Sequence, residues 1–241
     1  MTTTGMTSRA DGSGAMFDQI AHRYDLLNKL ISFGMDARWR RALVTGLDVG
    51  ALERPRVLDV ATGTADIALT IAQTHGSARV VGLDPSVGML EVGREKVAAS
   101  AQSERVELVE GDAQAMPFDD DAFDASCIAF GIRNVPDRLQ GLKEMARVTR
   151  PGHRVVILEL GEPDRGPLAP FARFHVHHVI PRLGAWLSGA DEYAYLQQSI
   201  AAFPPPEQFM GLMQEAGLRI EAHRPFVFGG ANLYVGVVDS A

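Results

Sequence analysis

The chain has 241 residues, 46% of them hydrophobic and 22% charged, which suits one well-buried core and leaves too little for two large domains. Thirty acids against 23 bases give a formal charge of -7, so no overall basic field draws in a nucleic-acid backbone and no nucleic-acid partner is expected. The single cysteine, Cys127, cannot form an internal disulfide and sits in an apolar stretch, where it is expected to pack as a small hydrophobe in a reducing compartment.

Residues 1–15, rich in Thr, Gly and Ser with no apolar run, read as a frayed tail rather than a signal peptide. Residues 16–241 read as one domain. No stretch approaches membrane-spanning length, and the expected location is cytoplasmic.

From Met16 to Leu47 apolar residues recur at helical spacing, through Phe17, Ile20, Tyr24, Leu27, Leu30 and Ile31, then Trp39 and Leu43 after a break at Gly34. Two helices are expected before the sheet. The chain then alternates: strand 56–61, helix 65–74, strand 78–83, helix 86–100, strands 105–109 and 123–130, helix 137–149, strand 153–160. This rhythm predicts an α/β fold, a doubly wound, mostly parallel sheet with crossover helices on both faces. Arg150-Pro-Gly152 is read as a turn launching the strand from Arg154. Residues 161–203, with four prolines, three histidines and two tyrosines, break the pattern and read as an inserted helical cap. A helix from Pro204 to Gly217 and strands near 218–223 and 232–238 complete the chain, for seven strands in all.

In such a sheet a ligand sits beyond the carboxyl ends of the strands, and those positions carry distinctive residues here. Asp59 and Gly63 belong to the first strand and its loop, Asp84 ends the second strand, and Asp112 follows the third. A dinucleotide loop would read G-x-G-x-x-G with pyrophosphate on the helix N-terminus. This loop instead holds Asp59, Ala61, Gly63 and Ala65. A carboxylate about 4 Å from pyrophosphate repels it by on the order of a kcal/mol even when strongly screened, and attracts a cation. S-adenosylmethionine (SAM) fits that pattern: it has no phosphate, carries an ammonium and a sulfonium, and offers ribose hydroxyls to Asp84 and an adenine amino group to Asp112. Gly63 lets backbone approach the ligand closely, and Thr64 adds a hydroxyl and an amide. Asp66 is read more simply, as a first-turn acid favoured by the helix dipole.

Several blocks outside that loop carry a resemblance. They are Tyr24-Asp-Leu-Leu-Asn28, Ile31-Ser-Phe-Gly34 with Trp39-Arg40, Phe130-Gly-Ile-Arg-Asn-Val135, and Glu192-Tyr-Ala-Tyr-Leu196 leading to Ser199-Ile200 and Phe203-Pro204. With them the chain resembles the class I SAM-dependent methyltransferases, with their Rossmann-like sheet, and more narrowly the ubiquinone/menaquinone C-methyltransferase family, from about Met16 to Gly217. The resemblance implies SAM contacts at Thr64, Asp84, Asp112 and Ala113, and a quinone ring handled by Tyr24, Arg133 and Asn134. The sequence departs from that pattern at Ala61 and Ala65, where broad methyltransferase loops have glycine, and at Ala129, where some relatives place a SAM-contacting serine. The segment Gly229 to Val235 also matches poorly.

The implied reaction methylates a ring carbon of a reduced, demethylated prenylquinone, demethylmenaquinol or a ubiquinol precursor. A sterol, a tocopherol precursor or a phospholipid amine is the alternative acceptor. A ring carbon becomes nucleophilic once a hydroxyl loses its proton, so a phenolate must be stabilised. Arg133, a permanent cation, is expected to hold the developing oxyanion, Asn134 to orient the ring, and Tyr24 to bond or stack on it. The expected proton acceptor is a water beside Arg133, with a histidine of the cap as the second choice.

His175, His177 and His178 lack an i, i+4 pair and any nearby Cys or acid, so no metal site is expected. Residues 171–182 mix Phe171, Phe174, Val176, Val179 and Ile180 with Arg173 and Arg182, as an interfacial helix does, although a core-facing cap is the commoner origin of such a pattern. An isoprenoid acceptor comes from a bilayer, so peripheral contact at the inner face of the membrane is an expectation, and the sequence leaves room for a homodimer. A non-catalytic methyltransferase-like subunit would carry a damaged acidic set, whereas Asp59, Asp84 and Asp112 are all present.

Overall fold

The computed structural model describes residues 36–162 and 190–239. The first expected helix with Tyr24, the cap histidines and the 171–182 segment lie outside the described residues. Within them, α1 (Asp36–Gly46) precedes β1 (Arg56–Val60), α2 (Asp66–Thr74), β2 (Arg79–Asp84), α3 (Val87–Ala98), β3 (Val106–Glu110) and β4 (Phe123–Ala129). Then follow α4 (Arg138–Val148), β5 (Thr149–Leu160), α5 (Ala190–Ala201), α6 (Pro206–Glu215), β6 (Leu218–Phe226) and β7 (Ala231–Val238).

Short polar residues start the crossover helices. Ser86 accepts the Met89 amide at 3.1 Å to cap α3, and Asp137 accepts the Gln140 amide at 2.9 Å to cap α4. Proline occupies the first position of α6, and Gly217, at φ 87°, supplies the left-handed turn into β6.

The seven strands form one sheet in the order β3-β2-β1-β4-β5-β7-β6. All pairs from β3 to β5 are parallel, and β7 runs antiparallel to both β5 and β6. The strand alternation divides the core. Val57, Cys127 and Val156 join α1 and α2 residues such as Leu43, Val44 and Ile71 on one face. Leu58, Ile128, Val155 and Ile157 join Leu142, Met145, Phe209 and Met213 on the other.

Most boundaries fall within three residues of the sequence reading, and the start of β5 differs most. Arg150-Pro-Gly152 does not end a segment; β5 runs through it from Thr149, and the extra residues bulge where pairing steps from Phe123↔Thr149 to Ala125↔Arg154. Gly152, at φ 77°, absorbs the turn, so the loop lies inside the ladder instead of before it.

Candidate active site

Strand order reverses between β1 and β4, and the crevice at their carboxyl ends holds the site. Ala61 after β1 and Phe130 after β4 flank it at φ 51° and 57°, and Ala65 at the start of α2 is at 65°. These are the left-handed values that make glycine common in such loops. Ala61 and Ala65 therefore depart from glycine in side chain while keeping the glycine conformation, each at a cost of roughly 1 kcal/mol. Gly63, at φ +56°, has open space where a side chain would stand, so its backbone faces the crevice directly.

The two sides of the crevice approach as closely as glycine allows: a methyl on Gly131 would lie 2.6 Å from the Ala61 side chain. Gly131→Ala is expected to lower stability by about 1–3 kcal/mol through overpacking, read as a lower midpoint in thermal denaturation.

The crevice has two compartments that share Ala61, Gly63, Ala129 and Phe130. The larger, about 180 Å³, is lined by Leu83, Asp84, Ser86, Met89, Asp112, Ala113, Gln114, Gly131, Asn134 and Val135 among others. The smaller, about 40 Å³, is lined by Arg40, Asp59, Thr62, Thr64, Asp66 and Ile67. Of the residues singled out from sequence, Asp84, Asp112, Ala113 and Asn134 face the first, Asp59 and Thr64 the second, and Gly63 both.

Asp84 is buried at the tip of β2, where one carboxylate oxygen accepts the Gly63 amide at 2.8 Å and the other the Ser86 amide at 2.9 Å. Those bonds fix the carboxylate at the edge of the cleft. Asp112 is exposed and accepts from the backbone and side-chain amides of Gln114 at 2.9–3.1 Å.

Asp59 lies deepest. Its register partner on β2 is Gly82, where a methyl would come within 2.7 Å of Thr62. Glycine there leaves room for Thr62, whose hydroxyl donates to Asp59 at 2.6 Å, while the Cys127 thiol lies 3.6 Å from the other oxygen. Burial pushes the Asp59 pKa up to about 7, against the pull of the Thr62 and Cys127 hydrogen bonds, with the nearby Asp84 charge adding to the rise. The same burial and the Asp59 charge hold the Cys127 thiol well above its usual range, so the cysteine is an inert core residue, as expected.

Asp66 is the first residue of α2 and is held by Arg40 and Lys96, each at 2.8 Å. Burial would raise its pKa, but these two cations outweigh that and lower it. Lys96 also donates to the Thr64 hydroxyl at 2.9 Å. This network ties α1, α2 and α3 together around the smaller compartment.

Among the described residues, Arg133 stands back from both compartments. Its guanidinium lines neither compartment; it is buried and paired at 2.6 Å with Glu159, itself fully buried at the end of β5, and it also donates to the Phe130 carbonyl. Glu159 further accepts the Arg133 amide at 3.1 Å and the Leu160 amide at 2.8 Å. A buried cation requires a counter-charge, and here the protein supplies it. Arg133 therefore fastens the 3-10 turn Ile132–Asn134, and it is Asn134 that faces the cleft.

Sequence reasoning passed over Glu159, although a lone acid in the apolar run Val155–Leu160 required a buried cation as partner. It also gave no role to Tyr195, whose hydroxyl lies 3.1 Å from Asn134 Oδ1, or to Arg40. Among the described residues no cluster of metal-ligating side chains occurs, and no helix is long and apolar enough to cross a membrane.

A seven-stranded sheet in this order, with its crevice at the switch point, is the fold of class I SAM-dependent methyltransferases. A SAM-dependent methyltransferase from Aquifex aeolicus superposes with a TM-score of 0.58 at 18% identity, covering 88% of this chain and 98% of that one. The ubiE/COQ5 methyltransferase family matches residues 6–238, and the chain belongs to that family. It is 47% identical over 232 residues to the ubiquinone/menaquinone biosynthesis C-methyltransferase UbiE of Geobacter sulfurreducens, spanning 96% of this chain and 90% of that one. It is 44% identical over 222 residues to the demethylmenaquinone methyltransferase of Deinococcus radiodurans, spanning 92% and 90%.

Proposed function

We propose that this chain transfers a methyl group from SAM to a ring carbon of demethylmenaquinol, giving menaquinol. The observation that carries the reading is the two-compartment crevice, acidic along the β1, β2 and β3 ends and amide-bearing on the β4 side, in a chain so close to a demethylmenaquinone methyltransferase.

The residues present fit SAM. Asp84 presents a fixed carboxylate suited to the ribose hydroxyls and Asp112 one suited to the adenine amino group, and Ala113 lines the same compartment. Asp59, with Thr64 and the open backbone of Gly63, suits the ammonium end of the amino-acid moiety. When bound, SAM supplies an electrophilic methyl on sulfonium.

The chain's own groups have three tasks. Asn134 donates to a ring oxygen and favours its ionised form, the hydroxyl proton passing to a bound water, which makes the adjacent carbon nucleophilic. Met89, Phe130 and Val135 line the cleft with apolar surface, which keeps water from competing and strengthens that hydrogen bond. Arg133 and Glu159 hold the turn that aims Asn134, and orientation supplies much of the acceleration. Tyr24 belongs to the same reading as a ring contact. An isoprenoid acceptor reaches the site from a bilayer, so peripheral membrane contact is part of the reading too.

The test supplies methyl-labelled SAM with reduced demethylmenaquinone and, separately, a reduced ubiquinone precursor. Label is expected in menaquinol. Label in neither lipid, together with calorimetric binding of NAD and not of SAM, overturns the reading.

A further inference from the structure

We propose that Tyr195 is a positioning residue for methyl transfer: its hydroxyl, carried by α5, holds the Asn134 carboxamide with its NH2 group turned into the larger compartment. The inference rests on the function proposed above, because the NH2 group then meets the ring oxygen of the acceptor.

An Asn side chain has one accepting and one donating end, and the two are nearly equal in shape, so its orientation must be imposed by a neighbour. Asn134 sits at the end of a three-residue 3-10 turn that fixes its backbone through the bond from its amide to the Gly131 carbonyl, at 3.0 Å. That bond leaves the side-chain amide to be set from outside the turn. A tyrosine hydroxyl can donate or accept, so contact alone does not choose the direction. The surrounding charge does. Arg133 and Arg138 both act on the Tyr195 hydroxyl, and Arg138 is anchored beside it by a 3.1 Å bond to the Arg133 carbonyl. Two cations favour a hydroxyl whose oxygen faces them and whose proton points away. The proton thus goes to Asn134 Oδ1 at 3.1 Å, and Nδ2 takes the other side. Half-burial pushes the Tyr195 pKa up, with Arg133 and Arg138 pulling the other way, so the group stays a protonated donor through the neutral range.

This contact joins two parts of the chain 61 residues apart, one in the turn after β4 and one in α5. The packing of α5 against the Ile132–Asn134 turn therefore also completes the orientation of the donor.

The experiment measures kcat and KM for reduced demethylmenaquinone, and the affinity for SAM, in wild type, Tyr195→Phe, Asn134→Ala and the double variant. Tyr195→Phe keeps the ring and loses the donor. It is expected to lower kcat roughly tenfold, the size of one hydrogen bond, with SAM affinity within about twofold of wild type. In the Asn134→Ala background the same change is expected to have little further effect, because the group it orients is gone. Multiplicative losses in the double variant, full kcat in Tyr195→Phe, or a parallel loss of SAM binding each overturn the positioning role. A wild-type protein that transfers no methyl to this quinol overturns the functional reading and the inference with it, whereas an active wild type with an unaffected Tyr195→Phe overturns the inference alone.

Discussion

Asp59→Asn is expected to weaken SAM binding on the order of a hundredfold while making the ligand-free protein more stable at neutral pH. Both effects follow from one buried carboxyl whose pKa burial has pushed up to about 7. In the unfolded chain the same group titrates near 3.8, so between these values the folded state holds a proton that the unfolded state has lost. The stabilising contribution is whole below the unfolded value and is lost as pH rises through the folded one. Relative to wild type, the ligand-free asparagine variant therefore gains about 1.4 kcal/mol per pH unit across that window, and the difference levels off above pH of about 7. Calorimetric unfolding of both proteins across that range checks the sign.

Ligand binding runs the other way. An ammonium favours ionised Asp59, so wild-type affinity for SAM is expected to be about tenfold weaker at pH 6 than at pH 8, with proton release on binding. Asp59→Asn should flatten that profile. A wild-type affinity independent of pH, measured by titration calorimetry in buffers of different ionisation enthalpy, removes Asp59 from the cationic end of the ligand.

Arg133→Ala is expected to unfold early. It leaves Glu159 charged and fully buried without its cation, a loss of about 3–5 kcal/mol. For a chain of this size that lowers the melting temperature by roughly 10 °C. Replacing both partners, as in Arg133→Met with Glu159→Leu, removes the charges together and is expected to recover most of the loss. Asn134→Ala, on the cleft wall, should melt near wild type and lose about a hundredfold in turnover. Thermal melts beside initial rates separate the two residues. An Arg133→Ala protein that melts normally yet does not turn over would return the guanidinium to direct contact with the ring.

The alternation of strands and helices was legible because the helices are announced by a first-turn acid, a cap or a breaker: Asp66, Asp84-Pro-Ser86, Asp137 and the prolines before Glu207. The acids at the strand ends were legible for a related reason, since fold topology alone brings those ends together. Arg150-Pro-Gly152 was misread because a turn sequence within a bulge looks locally the same as a turn between elements. The partner of Arg133 was hidden by distance along the chain: Glu159 lies 26 residues on, and only the β4 to β5 pairing brings the two together. Tyr195 was hidden for the same reason, since it stands 61 residues from Asn134 and only the fold brings α5 to that turn. The glycine departures at Ala61 and Ala65 were visible in the sequence, but only the backbone angles show that the loop keeps its shape.

Cys127 has one more use. It is the chain's one thiol, wholly enclosed in the central strand beside Asp59. An alkylating reagent can therefore reach it only in molecules whose sheet has parted, and the labelling rate counts those openings without any engineered probe. Because the thiol lies 3.6 Å from Asp59, which lines the smaller compartment, ligands that clamp the crevice should slow that labelling in proportion to their occupancy.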